Sequence, residues 1–188
     1  MAQTYLITRT DIAEYRQISN SVYDDVINMH ILDAQFSDVQ KLLGADFYND
    51  LIQNNTDANY VTLLNGGTYV YQTVTYTNVG LKAVLVHYAY SRYILTGSQT
   101  DTPFGYVEKL NEQSEKVDIN GKKTISKMNQ QIAFNYWENV KQFLDRNASD
   151  YPLWENSCAN YNQTFRISKI GGSTKGTIPI RQRFKFNN

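Results

Sequence analysis

The side chains best suited to acid–base, nucleophilic or metal chemistry are few and widely separated in this chain. It contains only two histidines, His30 and His87, and one cysteine, Cys158. A zinc site needs three or four nitrogen or sulfur ligands, often paired at helical spacing, and neither histidine has such a neighbour. His87 lies in an apolar run, so we expect a hydrogen-bonded core residue. No catalytic motif surrounds Cys158, which predicts a small buried apolar residue.

The acidic residues near the N-terminus are the other candidates for a site. Asp24, Asp25, Asp33 and Asp38 could bind a hard cation, but they lack the ligand spacing of a calcium-binding loop. We expect them to form a solvated acidic face. Gly66 and Gly67 precede strand-like sequence without a following lysine and helix, which predicts a turn and not a phosphate-binding loop. Since no nucleophile, base and acid come together in sequence, we predict no enzymatic activity, no cofactor and no metal.

Charge is divided between the two ends of the chain. The first 60 residues hold nine acids against three bases, whereas the segment from Glu155 to Asn188 holds six bases and one acid. The six bases are Arg166, Lys169, Lys175, Arg181, Arg183 and Lys185. This separation suits a basic arm that docks on an acidic surface of a second copy or of another protein. We include Phe184 and Phe186, which alternate with the last bases, among the predicted docking residues.

The same segment permits a second interpretation. Basic residues interleaved with aromatic ones can grip nucleic acid through phosphate contacts and base stacking. The bases are sparse for that purpose, however, and the whole chain has a formal net charge of zero. Protein docking is therefore the favoured interpretation, and a DNA-binding accessory is the alternative.

Composition predicts one domain plus an arm, with surfaces that meet other proteins. The chain has 188 residues, of which 41% are hydrophobic, and 15 are tyrosines. Its 19 asparagines outnumber its six glutamates. Tyrosine and asparagine provide contact area and hydrogen bonds without a charge to desolvate. The most apolar stretch, 81–95, is interrupted by charges and is shorter than the roughly 20 residues needed to cross a bilayer. With no signal-peptide pattern at the N-terminus, we expect no membrane association and synthesis in a cytoplasm.

The predicted fold is mainly α: a small helical bundle over residues 1–161 with a short β-hairpin at about 68–77 and an extended arm over 162–188. A capping box formed by Thr10 or Asp11 with Glu14 predicts a first helix near Asp11. A second helix start is indicated around 19–21. Apolar periodicity predicts a helix over 30–43 that ends at Gly44.

Further elements follow along the chain. Asp46 is expected to cap a short helix that runs to Gln53, before a loop at 54–57. The stretch 80–97 predicts a largely buried central helix, 107–116 is compatible with another helix, and a turn is expected at 120–121. The last helix is predicted over 124–146. The predicted core residues are Leu81, Val84, Leu85, Tyr88, Ile132, Tyr136, Val140 and Phe143.

Three stretches also resemble a known family. They are HILDAQFSDVQKLLGADFYNDL (30–51), LLNGGTYVYQTVTYTNVGLKAVLVHYAYSRYIL (63–95), and YPLW with a following cysteine and FRISKIGG (151–172). In this order they resemble the head–tail connector, or neck, proteins of tailed phages that infect Bacteroidetes, crAss-like phages included. The chain is similar, more distantly, to the adaptor proteins that form rings beneath the portal of other phages.

The resemblance implies a helical bundle repeated around a ring, commonly of twelve copies. The ring would dock on the portal protein and on other neck or tail proteins, and DNA would pass through its lumen without sequence-specific binding. Such proteins have no catalytic residues to transfer to this chain. The hairpin at 68–77 departs from the simplest connector pattern.

Overall fold

A computed structural model describes residues 3–19, 21–97, 99–103, 105–108 and 118–154. Helices predominate, with seven α-helices and two antiparallel β-hairpins in the described part. The prediction of a mainly α fold with a short hairpin is therefore confirmed. Cys158 and all the residues predicted to dock on partners lie outside the described residues. Those docking residues are Arg166, Lys169, Lys175, Arg181, Arg183, Phe184, Lys185 and Phe186.

The first helix, α1 (Arg9–Tyr15), begins with a capping box formed by residues other than those predicted. Thr8 adopts an extended conformation, and its hydroxyl accepts a hydrogen bond from the N–H of Asp11. The Asp11 carboxylate in turn accepts from the Thr8 N–H at 2.7 Å. The predicted box with Glu14 is therefore wrong: the helix starts earlier, and Asp11 occupies the third helical position and not the cap.

A long helical run follows and carries the predicted 30–43 helix in its second half. It consists of α2 (Asp24–Ala34), a π-helical turn (Gln35–Val39) and α3 (Gln40–Leu43). It begins at Asp24 and not at the predicted 19–21. The widened turn coincides with Gln35, which is fully buried.

Two short helices complete the first half of the fold. Gly44 ends α3, as predicted, and α4 (Ala45–Gln53) begins directly after it. Asp46 makes no capping hydrogen bond, because Gly44 occupies the cap position, so its predicted role is wrong. Helix α5 (Ala58–Asn65) was not predicted, although the loop before it was.

The first hairpin joins β1 (Gly67–Tyr71) to β2 (Val74–Asn78), in agreement with the predicted 68–77. Its two-residue turn, Gln72–Thr73, has positive φ angles of 48° and 69°, as in the type I′ turns that match strand twist. At the base of the hairpin Gly66 packs against the backbone of residues 78–80, since a Cβ there would lie 2.4 Å from the Asn78 oxygen.

The core is built around α6 (Leu81–Thr96), which packs against α7 (Ile119–Arg146) and α2. Helix α6 has eight buried residues and matches the predicted central helix. Five of the predicted core residues are buried: Leu81, Val84, Leu85, Val140 and Phe143. The other three are half-buried: Tyr88, Ile132 and Tyr136.

Helix α7 differs from its prediction in start and orientation. It begins five residues before the predicted Thr124, because the Asp118 side chain caps it by accepting from the Gly121 N–H at 2.8 Å. The predicted turn at 120–121 is therefore the first turn of the helix. In its first half the buried positions are polar, Ser126 and Asn129, while Met128 is 60% exposed. The apolar periodicity consequently indicated the wrong face there.

A second hairpin, β3 (Gln99–Thr102) with β4 (Gly105–Glu108), follows α6. The sequence predicts no strand here and is compatible with a helix over 107–116. Val107 instead lies in β4, and residues 109–117 fall outside the described part.

Candidate functional site

His87 belongs to a buried polar cluster between α6 and α7. Its Nδ1 lies 3.2 Å from the Asn129 Oδ1, which also accepts a hydrogen bond from the Arg16 Nε at 2.8 Å. The rings of Tyr15 and Tyr136 meet the imidazole edge-on. Burial lowers the pKa of His87, and the nearby Arg16 lowers it further, against the opposing effect of the Asn129 hydrogen bond. The predicted role of a hydrogen-bonded core histidine is thus seen directly.

The predicted acidic face is divided by ion pairs. Asp24, in the first turn of α2, accepts a hydrogen bond from the Arg9 Nε at 3.0 Å, and Asp25 beside it is exposed. Asp38 lies in the π-helical turn and pairs with Arg92 of α6 at 2.7 Å. Fourteen residues of helix put Asp38 about 20 Å along the axis from Asp24. The three acids therefore do not form one continuous patch.

An acidic cleft that was not predicted lies between α4, α5 and the chain after α7. It is an open cavity of about 360 Å³ lined by three carboxylates, Asp50, Asp57 and Asp150, together with Tyr60 and Leu153. The Tyr60 hydroxyl donates to Asp50, and burial followed by that hydrogen bond raises the pKa of Tyr60 well above its ordinary range. No sequence signal joins these acids, because Asp150 follows the others by more than 90 residues.

One face of the β1–β2 hairpin packs on the end of α7. Tyr69 and Tyr76 stack with ring centroids 5.7 Å apart, and Tyr69 meets Phe143 edge-on at 5.0 Å. The Arg146 guanidinium lies 3.9 Å from the centre of the Tyr76 ring and donates to the Tyr69 hydroxyl at 3.0 Å. Cation–π contact and hydrogen bonding together hold the hairpin to the bundle.

The opposite face of the hairpin is open and uncharged. The strands alternate, so Thr68, Val70, Thr75 and Thr77 share this outer face, and all four are exposed. Val70 is 68% exposed. No charged residue occurs anywhere from Gly67 to Asn78.

The two edges of the hairpin differ. The turn pairs Tyr71 with Val74, and the neighbouring pair, Val70 and Thr75, therefore directs its N–H and C=O groups outward. On the β2 edge, α7 covers the end near α6: the Asn139 amide donates to the Thr77 carbonyl and accepts from the Val79 N–H, both at 2.9 Å. Nearer the turn, no hydrogen bond from the described residues reaches the outward backbone groups of Thr75.

The β1 edge has no such cover. Within the described residues, no hydrogen bond reaches the outward backbone groups of Thr68 and Val70. Sequence reasoning found the hairpin but missed this asymmetry, because Asn139 lies about 60 residues away and its spacing to the strand carries no motif.

Apolar side chains are also exposed along the long helical run. Met29 and Phe36 are 59% and 49% exposed, and their spacing of seven residues places them on the same side of the helix. Tyr23, just before α2, is 80% exposed. Exposed apolar residues in a row are typical of protein contact surfaces.

Two kinds of feature are absent from the described part of the chain. There, no group of three or more histidine, cysteine or acidic side chains is arranged to hold a metal ion. None of the described helices is both long and apolar enough to span a membrane.

Comparison with known proteins identifies a family. Residues 39–164 match the model of DUF6712, described as a family of unknown function. The match covers more than half of the chain, which therefore belongs to this family. No curated protein matches the chain, and no solved structure matches it either.

Proposed function

We propose that this member of the DUF6712 family is a structural virion protein, one layer of the ring stack that joins a phage head to its tail. The observation that carries the proposal is the β1–β2 hairpin, whose outer face and β1 edge are uncharged and are left uncovered by the described residues. A two-stranded sheet is marginal in water by itself, and an open edge without charge or proline invites pairing with another chain. Such a surface fits a subunit that is completed by its neighbours.

Two further features support a structural role. The exposed Met29 and Phe36 provide apolar contact area on a second element. The chain carries acids at its front and bases at its end, and complementary surfaces of this kind form closed rings when the rotation between subunits is right. Three parts of the proposal rest on the resemblance to connector proteins: the ring, its twelve copies and its place between portal and tail.

In this role the protein binds neighbouring proteins and lets DNA pass through the ring, without catalysis. It extends the portal channel and gives the tail a binding face. The wall of the channel should be neutral or acidic, so that DNA slides without sticking. Asp25 is a better candidate for that wall than Asp24 or Asp38, since each of the other two has an arginine partner.

The test is removal of the protein from a phage that encodes it. Heads should fill with DNA but fail to attach tails or to keep the genome, and electron micrographs of the purified protein should show rings. As a control, the gene supplied in trans should restore tailed particles. Infectious, tailed particles made without the protein would contradict the proposal.

The DNA-binding accessory remains the second candidate, because six of the chain's 18 bases lie after Glu155. Salt distinguishes the two. Binding through phosphate contacts weakens steeply with salt, with a slope close to the number of phosphates neutralised. We expect only weak DNA binding by the full chain. A steep salt dependence that Arg181→Gln and Arg183→Gln each reduce would favour the accessory role instead.

A further inference from the structure

We infer that the open β1 edge of the hairpin is the docking site for residues 177–186 of a neighbouring copy of the chain, which add a third strand. The inference rests on the proposed role of the arm in joining copies and names the surface that receives it. The arm would pair through its backbone, in the manner of β-strand addition.

The sequence of residues 177–186, TIPIRQRFKF, has the pattern of a strand. The even-numbered positions carry apolar residues, Ile178, Ile180, Phe184 and Phe186, except for Gln182. The intervening positions carry Pro179, Arg181, Arg183 and Lys185. A period of two gives a strand one apolar and one basic face, and an apolar face suits a sheet whose strands contain no charge.

Pro179 sets which backbone groups of the arm point toward the hairpin. Proline has no N–H and is tolerated in a sheet only where that position faces outward. The odd-numbered residues of the arm must then direct their backbone groups away from β1. The even-numbered residues, Ile180 and Gln182 among them, direct theirs toward Thr68 and Val70.

The arm also has the edge protection that the hairpin lacks. Natural sheets protect exposed edges with proline and with lysine or other charges. Residues 67–78 carry neither, whereas residues 177–186 carry a proline and three bases. A three-stranded sheet with the arm outermost would therefore end in a protected edge, and no fourth strand would add.

The length of the connection favours a neighbouring copy over the same chain. The described part ends at Trp154, close to the hairpin: the Tyr151 ring lies 5.8 Å from Phe143, which lies 5.0 Å from Tyr69. Residues 155–176 still separate Trp154 from the docking segment, 177–186, and would reach roughly 70 Å when extended. Elements adjacent in one chain are usually joined by about 4–6 residues, so this length fits a span to the next copy.

Proline substitutions on one rung of the hairpin provide the test. Val70 and Thr75 face each other, both are exposed, and neither amide serves the hairpin's own ladder. In the full chain, Val70→Pro removes an amide from the open edge and Thr75→Pro removes one from the edge on the α7 side.

Self-association is measured by sedimentation equilibrium, and folding by thermal melts. We expect Val70→Pro to raise the dissociation constant at least about tenfold, or about 1.4 kcal/mol, since the substitution removes one backbone hydrogen bond and displaces the neighbouring ones. Thr75→Pro should stay within about twofold of the parent.

The arm supplies a second matched pair that leaves the described domain unchanged. Gln182→Pro removes an amide that should face β1, and Arg183→Pro removes one that should face away. Arg183→Gln reports the loss of charge alone. Gln182→Pro should weaken association as Val70→Pro does, and Arg183→Pro should match Arg183→Gln. If Val70→Pro fails to fold, this pair decides the question.

Several results would overturn the inference. If Gln182→Pro weakens association but a folded Val70→Pro does not, the arm docks elsewhere, and the ring proposal survives without this site. If Gln182→Pro and Arg183→Pro are equal, backbone pairing is wrong. Hydrogen exchange at Val70 that is slow even in dilute monomer would show pairing within one chain. A parent protein that stays monomeric at every concentration would count against both the inference and the ring.

Discussion

Asn139 of α7 holds the β2 edge of the hairpin, and replacing it should loosen the hairpin in a measurable way. Its amide makes two hydrogen bonds with the backbone, to the Thr77 carbonyl and from the Val79 N–H, both at 2.9 Å. Each such bond is worth about 0.5–1.5 kcal/mol net. Asn139→Ala should therefore lower the free energy of unfolding by about 1–3 kcal/mol. We expect the lower half of that range, because the bond to Thr77 is exposed.

Thermal melts of the full chain measure this loss. For a chain of this size, about 1 kcal/mol shifts the melting temperature by roughly 2–4 °C. Asn135→Ala is the matched control, since Asn135 lies on the same helix and its side chain only accepts an exposed bond from Gln131. Its effect should be within about 0.5 kcal/mol. Asn139→Asp keeps the acceptor for the Val79 N–H but turns a carboxylate oxygen toward the Thr77 carbonyl, so it should not restore the stability of the parent.

Equal melting of Asn139→Ala and Asn135→Ala would refute the reasoning. The β2 edge would then owe nothing to α7, and the contrast between a covered and an open edge would disappear. Exchange of the Val79 amide provides a local readout of the same bond. It should be faster in Asn139→Ala than in Asn135→Ala.

Three other predictions test the core, the histidines and the hairpin base. Val84→Asp buries an unpaired carboxylate at a fully buried position, costs several kcal/mol and should abolish soluble expression; normal melting would contradict the central role of α6. Burial lowers the pKa of His87 and of His30 below 6.5. The unfolded chain therefore binds protons at these two residues more readily than the folded protein does. Urea melts should show full stability above pH 6.5 and a loss of stability as the pH falls below it. His87→Gln should make that loss shallower, and an unchanged pH profile would exclude the buried cluster as its source. Gly66→Ala should lower the free energy of unfolding by about 1–3 kcal/mol more than Gly67→Ala does. Both glycines have positive φ, but only at Gly66 does the added Cβ meet backbone, at 2.4 Å. Equal thermal melts of the two variants would argue against the tight hairpin base.

The elements that could be predicted are those whose sequence carries a strong local pattern. The hairpin was predictable from β-branched and aromatic residues between Gly67 and Asn78, and α6 from its bounding glycines and apolar surface. Helix α5 was not, because eight residues give barely two turns of periodicity. The buried face of the first half of α7 was mispredicted for a different reason. Asn129 is buried there and is hydrogen-bonded to His87 and Arg16, and a polar residue satisfied in this way looks like a surface residue in sequence.

The candidate surfaces were predictable in kind but not in position. Charge counting indicated an acidic front, yet it could not show that Arg9 and Arg92 compensate Asp24 and Asp38. Those pairs form between elements that are 15 and 54 residues apart. The acidic cleft around Asp50 depends on a similarly distant partner. Contacts of this range have no spacing rule that a single sequence can reveal.

The compensation of the acidic front changes the physical account of how copies would join. If charge alone held the basic arm, it would need free carboxylates, and two of the predicted ones already have arginine partners. At physiological salt the Debye length is about 8 Å, so attraction between exposed charges falls off within one side-chain length. Charge complementarity therefore contributes mainly to the rate and orientation of encounter. Backbone pairing at the β1 edge does not depend on ionic strength in this way, and it uses the Pro179 pattern that an electrostatic arm would not require. A strand whose backbone pairs with β1, and whose bases guide its approach, would account for both the apolar and the basic positions of residues 177–186.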